Sequence, residues 1–350
     1  LKKLLVASLS FLSLITSTTY AIDVGVYYYP GWKRPDVDGW AKIKAHPERE
    51  PLLGWYTEGA DEVTRRHLQW MEKYGINFIA YDWYWDQGTG VKNRTYAIDS
   101  YIKNSKDYNV EFALLWANHT NTPESMSQFD EIVNYWILNY FKNPKYKKID
   151  DKPVVYLFSS DMLSRDSAKF GSSPKELLTR ARKLAKKSGL NGIFFIGTPG
   201  SKKDSLTLEL PNQTYDAVSA YNYQYGPSKT PGIRTLSKSY SELMDGYSQS
   251  WSFTLRTSPL PYVIPVTSGW DRTPWGGSSD PAHDNSYSTP EEFSEHLSRA
   301  KAELLGHPKK TLNTIIVCCW NEFGEGSYIE PTKKFGFDYL EQIHKVLKTQ

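Results

Sequence analysis

The chain has 350 residues, 42 basic against 39 acidic, with 12 Trp, 25 Tyr and two cysteines, Cys318 and Cys319, side by side. The net charge of +3 is spread without long basic runs, which excludes an electrostatic footprint for nucleic acid. Two cysteines exclude a disulfide-stapled scaffold, and the length suits one barrel with several long loops.

Residues 1–21 read as a signal peptide. Lys2 and Lys3 are its charged start, Leu4 to Ile15 its apolar stretch, and Thr19-Tyr20-Ala21 a small-x-small cleavage site. An uncleaved anchor is the alternative. The expected mature chain, 22–350, has no further stretch apolar enough to span a bilayer. A secreted or periplasmic monomer is expected.

Eight apolar segments of strand length follow, at 24–29, 78–83, 111–117, 154–159, 192–198, 217–222, 262–267 and 314–320. Amphipathic helices are predicted between and after them, over 61–74, 95–108, 125–141, 173–188, 237–247, 290–305 and 337–347. Ser173-Pro174-Lys175-Glu176 and Thr289-Pro290-Glu291-Glu292 carry a capping hydroxyl, Pro in the first turn and nearby acid. This alternation predicts an α/β protein, a single-domain (β/α)8 TIM barrel. The first strand runs into Tyr27-Tyr28-Tyr29-Pro30-Gly31-Trp32, not the Gly-rich turn of a doubly wound nucleotide-binding sheet. Strand alternation predicts Cys318 facing the barrel axis and Cys319 facing the helices, both as buried free thiols.

Function in such a barrel sits at the C-terminal strand ends. Those ends carry Tyr29; Asp82, Trp83 and Trp85; Trp116, Asn118 and His119; Tyr221 and Tyr223; Trp270 and Asp271; and Asn321. Rings can stack on sugar faces, amides can bind hydroxyls and carboxylates can move protons, so these are the candidate substrate-binding residues. Several have plainer readings. The rings could fill a core, Asp82 could cap a helix, Asp271 could form a turn, and His119 could be a hydrogen-bonded strand-end residue. A phosphate site would want Lys, Arg or Gly-rich backbone instead. Glu322 and Glu325 close the last strand on a glycine turn with Gly324 and Gly326. They are the candidate catalytic pair, since glycoside cleavage needs two carboxyl groups. Two solvated loop glutamates are the alternative. No metal-ligand spacing is present, and no cofactor is expected.

Several segments are familiar together. They are Tyr27-Tyr28-Tyr29-Pro30, Tyr81-Asp82-Trp83-Tyr84-Trp85, Leu115-Trp116-Ala117-Asn118 and Gly269-Trp270-Asp271-Arg272-Thr273-Pro274. Most specific is Trp320-Asn321-Glu322-Phe323-Gly324-Glu325-Gly326-Ser327-Tyr328-Ile329-Glu330-Pro331. On these the chain resembles the family 99-like glycoside hydrolases, including the WbsX-like proteins of polysaccharide gene clusters. The resemblance implies a (β/α)8 barrel and a retaining, endo-α-mannosidase-like hydrolase. It also implies that Glu322 deprotonates the sugar's own 2-hydroxyl to give a 1,2-anhydro sugar, while Glu325 acts as acid and then base. Phe323-Gly324 departs from the mannosidases, and the tail from Ser327 to Pro331 is closer to the WbsX-like branch, which leaves the sugar open. The alternatives are a WbsX-like glycosyltransferase of polysaccharide biosynthesis and a non-catalytic polysaccharide-binding barrel.

Overall fold

A computed structural model describes residues 21–349, apart from 36, 86–93, 121, 201 and 229–232. The expected signal peptide therefore lies almost wholly outside the described residues. The barrel strands are β1 (Asp23–Tyr28), β2 (Phe78–Trp83), β3 (Glu111–Trp116), β4 (Lys152–Leu157), β5 (Phe194–Gly197), β6 (Ala217–Val218), β7 (Ile264–Thr267) and β8 (Thr314–Cys318). They pair in parallel in the order β7-β8-β1-β2-β3-β4-β5-β6. A parallel bridge from Val218 to Tyr262 joins β6 to the lead-in of β7. There the Val218 N–H donates to Pro261 O at 2.8 Å and the Val263 N–H to Val218 O at 3.0 Å, which brings the two ends of the sheet together.

Helices α1 (Asp61–Tyr74), α2 (Tyr96–Asn104), α3 (Met126–Trp136), α4 (Ser160–Ala168), α5 (Pro174–Lys187), α6 (Leu210–Asn212), α7 (Tyr240–Thr257), α8 (Pro290–Gly306) and α9 (Asp338–Ile343) complete the fold. Both expected capping boxes form, at Ser173 with Glu176 and at Thr289 with Glu292. α7 continues past the predicted end at Tyr247 because Trp251, Thr254 and Leu255 extend its buried stripe. α4 has no counterpart in the sequence reading. It is short and polar, and Ser159 caps it by accepting the Met162 N–H at 3.1 Å.

Strand alternation divides the core in two. Tyr27, Phe78, Ala80, Ala113, Leu115, Val154, Tyr156, Phe194 and Ile196 pack together inside the barrel. Their strand neighbours, such as Val26, Ile79, Tyr81, Leu114 and Val155, pack under the helices. The Phe78 ring fills the interior beside Gly25, where an added Cβ would lie 2.1 Å from it.

Parity also corrects part of the expected binding set. Trp83 and Trp116 share the outward parity of Ile79 and Leu114. With Trp85 they pack into the helix-facing core, Trp83 and Trp116 against Trp136 with ring centroids 5.3 and 5.5 Å apart. These three tryptophans fill the core and do not reach the strand-end cleft.

A second correction concerns the cysteines. Cys318 and Cys319 form a disulfide with each other, and the peptide between them is cis, which brings their Cα atoms to 2.9 Å. Free thiols were expected because a disulfide between adjacent cysteines has strained geometry. Both side chains join the barrel-interior cluster, so simple alternation fails here, and Trp320 turns out to the helix-facing core instead of the axis.

The long connection after β1 folds into a third core over the barrel mouth. Trp32 stacks on Trp40 at 4.1 Å, with Ile43, Tyr56 and Phe323 around them. Beneath it lie two buried carboxyl groups. Glu330 holds His67 Nε2 at 3.0 Å and the Tyr56 hydroxyl at 2.9 Å. Glu58 accepts the Tyr28 hydroxyl at 2.8 Å, and burial raises its carboxyl from the ordinary 4.5 to about 8. The unfolded chain releases this proton near 4.5 while the folded chain keeps it to about 8. Stability from Glu58 is therefore present at low pH and lost as pH rises through that window. The slope is at most ~1.4 kcal/mol per pH unit. Urea unfolding between pH 5 and 8 should show a flatter decline for Glu58→Gln than for the parent; parallel declines would contradict the assignment.

Candidate active site

The acidic turn is built by short-range geometry. Asn321 and Glu322 pair antiparallel with Tyr328 and Ser327. The Glu325 N–H donates to Glu322 O at 3.1 Å, and the Asp271 N–H donates to Glu325 O at 2.7 Å. Gly326 has φ +71°, and a Cβ there would meet the Asp271 backbone at 2.6 Å. A Cβ on Gly324 would lie 2.1 Å from the Trp275 ring. Arg49 fastens the outside of the turn. Its Nη1 donates to Phe323 O at 2.7 Å and to Asp271 O at 3.0 Å, and its Nη2 binds the Asp271 carboxylate.

The turn borders a cleft of about 540 Å³ at the C-terminal ends of the strands. The structure brings eight of the fourteen expected residues to its walls: Tyr29, Asp82, His119, Tyr221, Tyr223, Trp270, Glu322 and Glu325. Three more stand behind the walls. Asn321 clamps the Tyr29 backbone, accepting its N–H at 2.8 Å and donating to its carbonyl at 3.0 Å. Asn118 does the same for Ser159, at 2.9 and 2.8 Å. Asp271 accepts from the Thr273 N–H at 3.0 Å and is ion-paired with Arg49, the turn-forming alternative of its two readings. None of these three lines the cleft.

The floor of the cleft is a chain of three oxygens. The Tyr221 hydroxyl lies 3.0 Å from Asp82 Oδ2 and 2.9 Å from Glu322 Oε1. A phenol carries one proton, so two hydrogen bonds here require a second proton from a carboxyl group. Burial, helped by repulsion from Glu325, lifts Asp82 and Glu322 well above the usual carboxylate range, while the Tyr221 hydrogen bond opposes this for each. One of the two carboxyl groups therefore holds a proton and donates to Tyr221, which donates to the other; the arrangement that would leave Glu322 a base has the proton on Asp82. Burial also pushes Glu325 up to about 7, against the nearby Arg272. Two carboxyl groups raised by burial thus share one turn. His119 packs on Phe158 at 4.3 Å, and burial together with Arg94 lowers its pKa, so it is neutral at pH 7.

The structure adds Tyr84, Arg94, Phe158, Lys202, Arg234 and Trp275 to the cleft. Tyr84 had a signal, since it sits between two outward tryptophans and shares the inward parity of Asp82. Trp275 directly follows the Gly269–Pro274 motif. Arg94, Lys202 and Arg234 belong to irregular connections, where periodicity carries no information. Among the described residues no group of three or more His, Cys, Asp or Glu is arranged to hold a metal ion, and no helix is long and apolar enough to cross a membrane.

The sequence profile of the family described as Glycosyltransferase WbsX matches residues 43–343. The chain belongs to the WbsX family. Two curated relatives, the WxcX proteins of two Xanthomonas campestris pv. campestris strains, are each 21% identical over 316 residues. That match covers 84% of this chain and 42% of theirs, so the WbsX chain spans about two-fifths of their length. Among solved structures, the GH99 endo-alpha-mannosidase from Bacteroides thetaiotaomicron is similar with a TM-score of 0.65 at 16% identity. That likeness covers 93% of this chain and 97% of the mannosidase chain. A glycoside hydrolase-like protein is similar with a TM-score of 0.67 at 14% identity, over 94% and 95%. At these identities the likeness establishes the fold: this WbsX-family chain is a glycoside hydrolase-like barrel.

Proposed function

We propose that this WbsX-family barrel hydrolyses glycosidic bonds, with Glu322 as base and Glu325 as general acid. The carrying observation is the pairing of these two carboxyl groups on one turn in the cleft, with the Tyr221 hydroxyl hydrogen-bonded to both Glu322 and Asp82. Ionised Glu322 takes the proton of the substrate's 2-hydroxyl, whose oxygen attacks C1. Glu325 gives its proton to the departing oxygen as the C1–O bond breaks. The 1,2-anhydro sugar is then opened by water, whose proton returns to Glu325 while Glu322 reprotonates the 2-oxygen. Tyr29, Tyr84, Trp270 and Trp275 supply rings for the flanking sugars. The expected signal peptide fits an enzyme exported to meet its polysaccharide.

The family description and the cations in the cleft favour one other reading, a glycosyltransferase taking a sugar nucleotide. The test is purified protein against α-mannans, rhamnans and O-antigen polysaccharides, read by released reducing ends, beside UDP- and GDP-sugars read by nucleotide release. Reducing ends that vanish in Glu322→Gln are the expected result. Nucleotide release without reducing ends would overturn the hydrolase reading. The 2-deoxy form of a good substrate should be turned over at least a hundredfold more slowly; brisk turnover would exclude 2-hydroxyl participation and turn attention to Asp82 as nucleophile.

A further inference from the structure

The cleft carries cations as well as the rings, amides and carboxylates of the strand ends. Arg94 enters from the connection after β2, its guanidinium carbon 4.2 Å from the centroid of the Tyr84 ring. Arg234 enters from the connection after β6, over the Tyr225 ring at 5.5 Å, with Nη1 closest to the open space beside Gly200. Among the described residues neither forms an ion pair with a carboxylate. Arginines elsewhere, such as Arg49, Arg180 and Arg299, do. A guanidinium lying on a ring keeps its N–H edge free for a planar acceptor. Lys202 adds a third cation to the cleft, shared with Asp161 at 3.0 Å.

Glu322 and Glu325 line the same cleft, so an anionic sugar could not sit over the reacting centre without repulsion. The cations lie at other strand ends, where a neighbouring sugar unit would be. We propose that the glycan taken by this cleft is acidic, and that Arg94 and Arg234 bind carboxylates on units flanking the one attacked. The proposal rests on the hydrolase reading for its source of the anion. The same arginines would also suit the diphosphate of a sugar nucleotide, and the experiment separates the two.

The Glu322→Gln protein, which holds substrate without consuming it, is titrated with oligosaccharides in which glucuronate alternates with glucose, with mannose or with rhamnose, each beside its carboxyl-reduced neutral form, and with UDP- and GDP-sugars. At least one acidic oligosaccharide should bind tenfold or more tightly than its reduced partner. Arg94→Gln and Arg234→Gln, added singly, should each remove most of that preference, while binding of the reduced partner changes less than threefold. Arg234→Lys should recover part of it. No acidic member binding better than its reduced partner, complete lack of binding included, overturns the proposal. So does an acidic preference that survives both arginine substitutions. Arginine-dependent binding of sugar nucleotides alone overturns the acidic glycan and the hydrolase reading together. Glu322-dependent hydrolysis of a neutral polysaccharide leaves the hydrolase reading standing and sinks only the acidic substrate.

Discussion

Glu322→Gln should be nearly inactive both on a natural glycan and on an aryl glycoside with a good leaving group, while Glu325→Gln should keep the first step on the aryl glycoside. The asymmetry follows from what each proton does in the proposed mechanism. Glu322 makes the attacking oxygen, and no leaving group relieves that need. Glu325 protonates the departing oxygen, and an activated phenol leaves without help. Loss of a general acid or base costs ~10²–10⁴-fold, so both effects are far outside assay error. A pH profile gives an independent reading. Glu325 must be protonated to act as acid, and burial places its pKa at about 7. kcat/KM on the natural glycan should therefore fall above about pH 7, and that limb should be absent for Glu325→Gln acting on the aryl substrate. Equal loss for both variants on both substrates would show that the two glutamates do not divide the work this way.

Tyr221→Phe should lower turnover by ~10²–10³-fold, the scale of removing one aligned hydrogen-bond donor from a reacting charge. The hydroxyl is the single bridge between Asp82 and Glu322. Without it Glu322 loses the hydrogen bond that opposes its burial, so its pKa rises further. A base must be ionised to act, so the acid limb of the profile should move to higher pH. The ring itself packs against Tyr27 at 4.9 Å and Phe158 at 5.3 Å, and Phe preserves those contacts. A melting temperature close to that of the parent is expected. Less than threefold loss with an unmoved acid limb would show that the three-oxygen chain has no part in catalysis.

These predictions depend on features of unequal visibility in the sequence. The barrel was legible because its determinants are local. Strands buried on both faces read as short apolar runs, the helices carry a 3.6-residue stripe, and the caps at Ser173 and Thr289 are written in four consecutive residues. The acidic turn was legible as well, since Asn321, Glu322, Gly324, Glu325 and Gly326 lie in one segment. Parity was readable in principle. It places Trp83 and Trp116 on the outer face with Ile79 and Leu114, and an aromatic-rich strand end is a weaker guide to function than the alternation of the strand that carries it.

What the sequence by itself determined is the fold, the face that carries the site and the turn bearing Glu322 and Glu325, all set by neighbours within one element. The tertiary structure decided the rest. It joined Tyr221 to both Asp82 and Glu322, residues 139 and 101 positions away along the chain, and so linked the two carboxyl groups through one hydroxyl. It paired Arg49 with Asp271, 222 positions apart, to anchor the turn. It closed Cys318 onto Cys319 across a cis peptide, where strand alternation put them on opposite faces. It also carried Arg94 and Arg234 into the cleft on irregular connections. Such connections follow the surface they cover rather than a period of their own, so the charge of the cleft exists only once the strands have been placed around it.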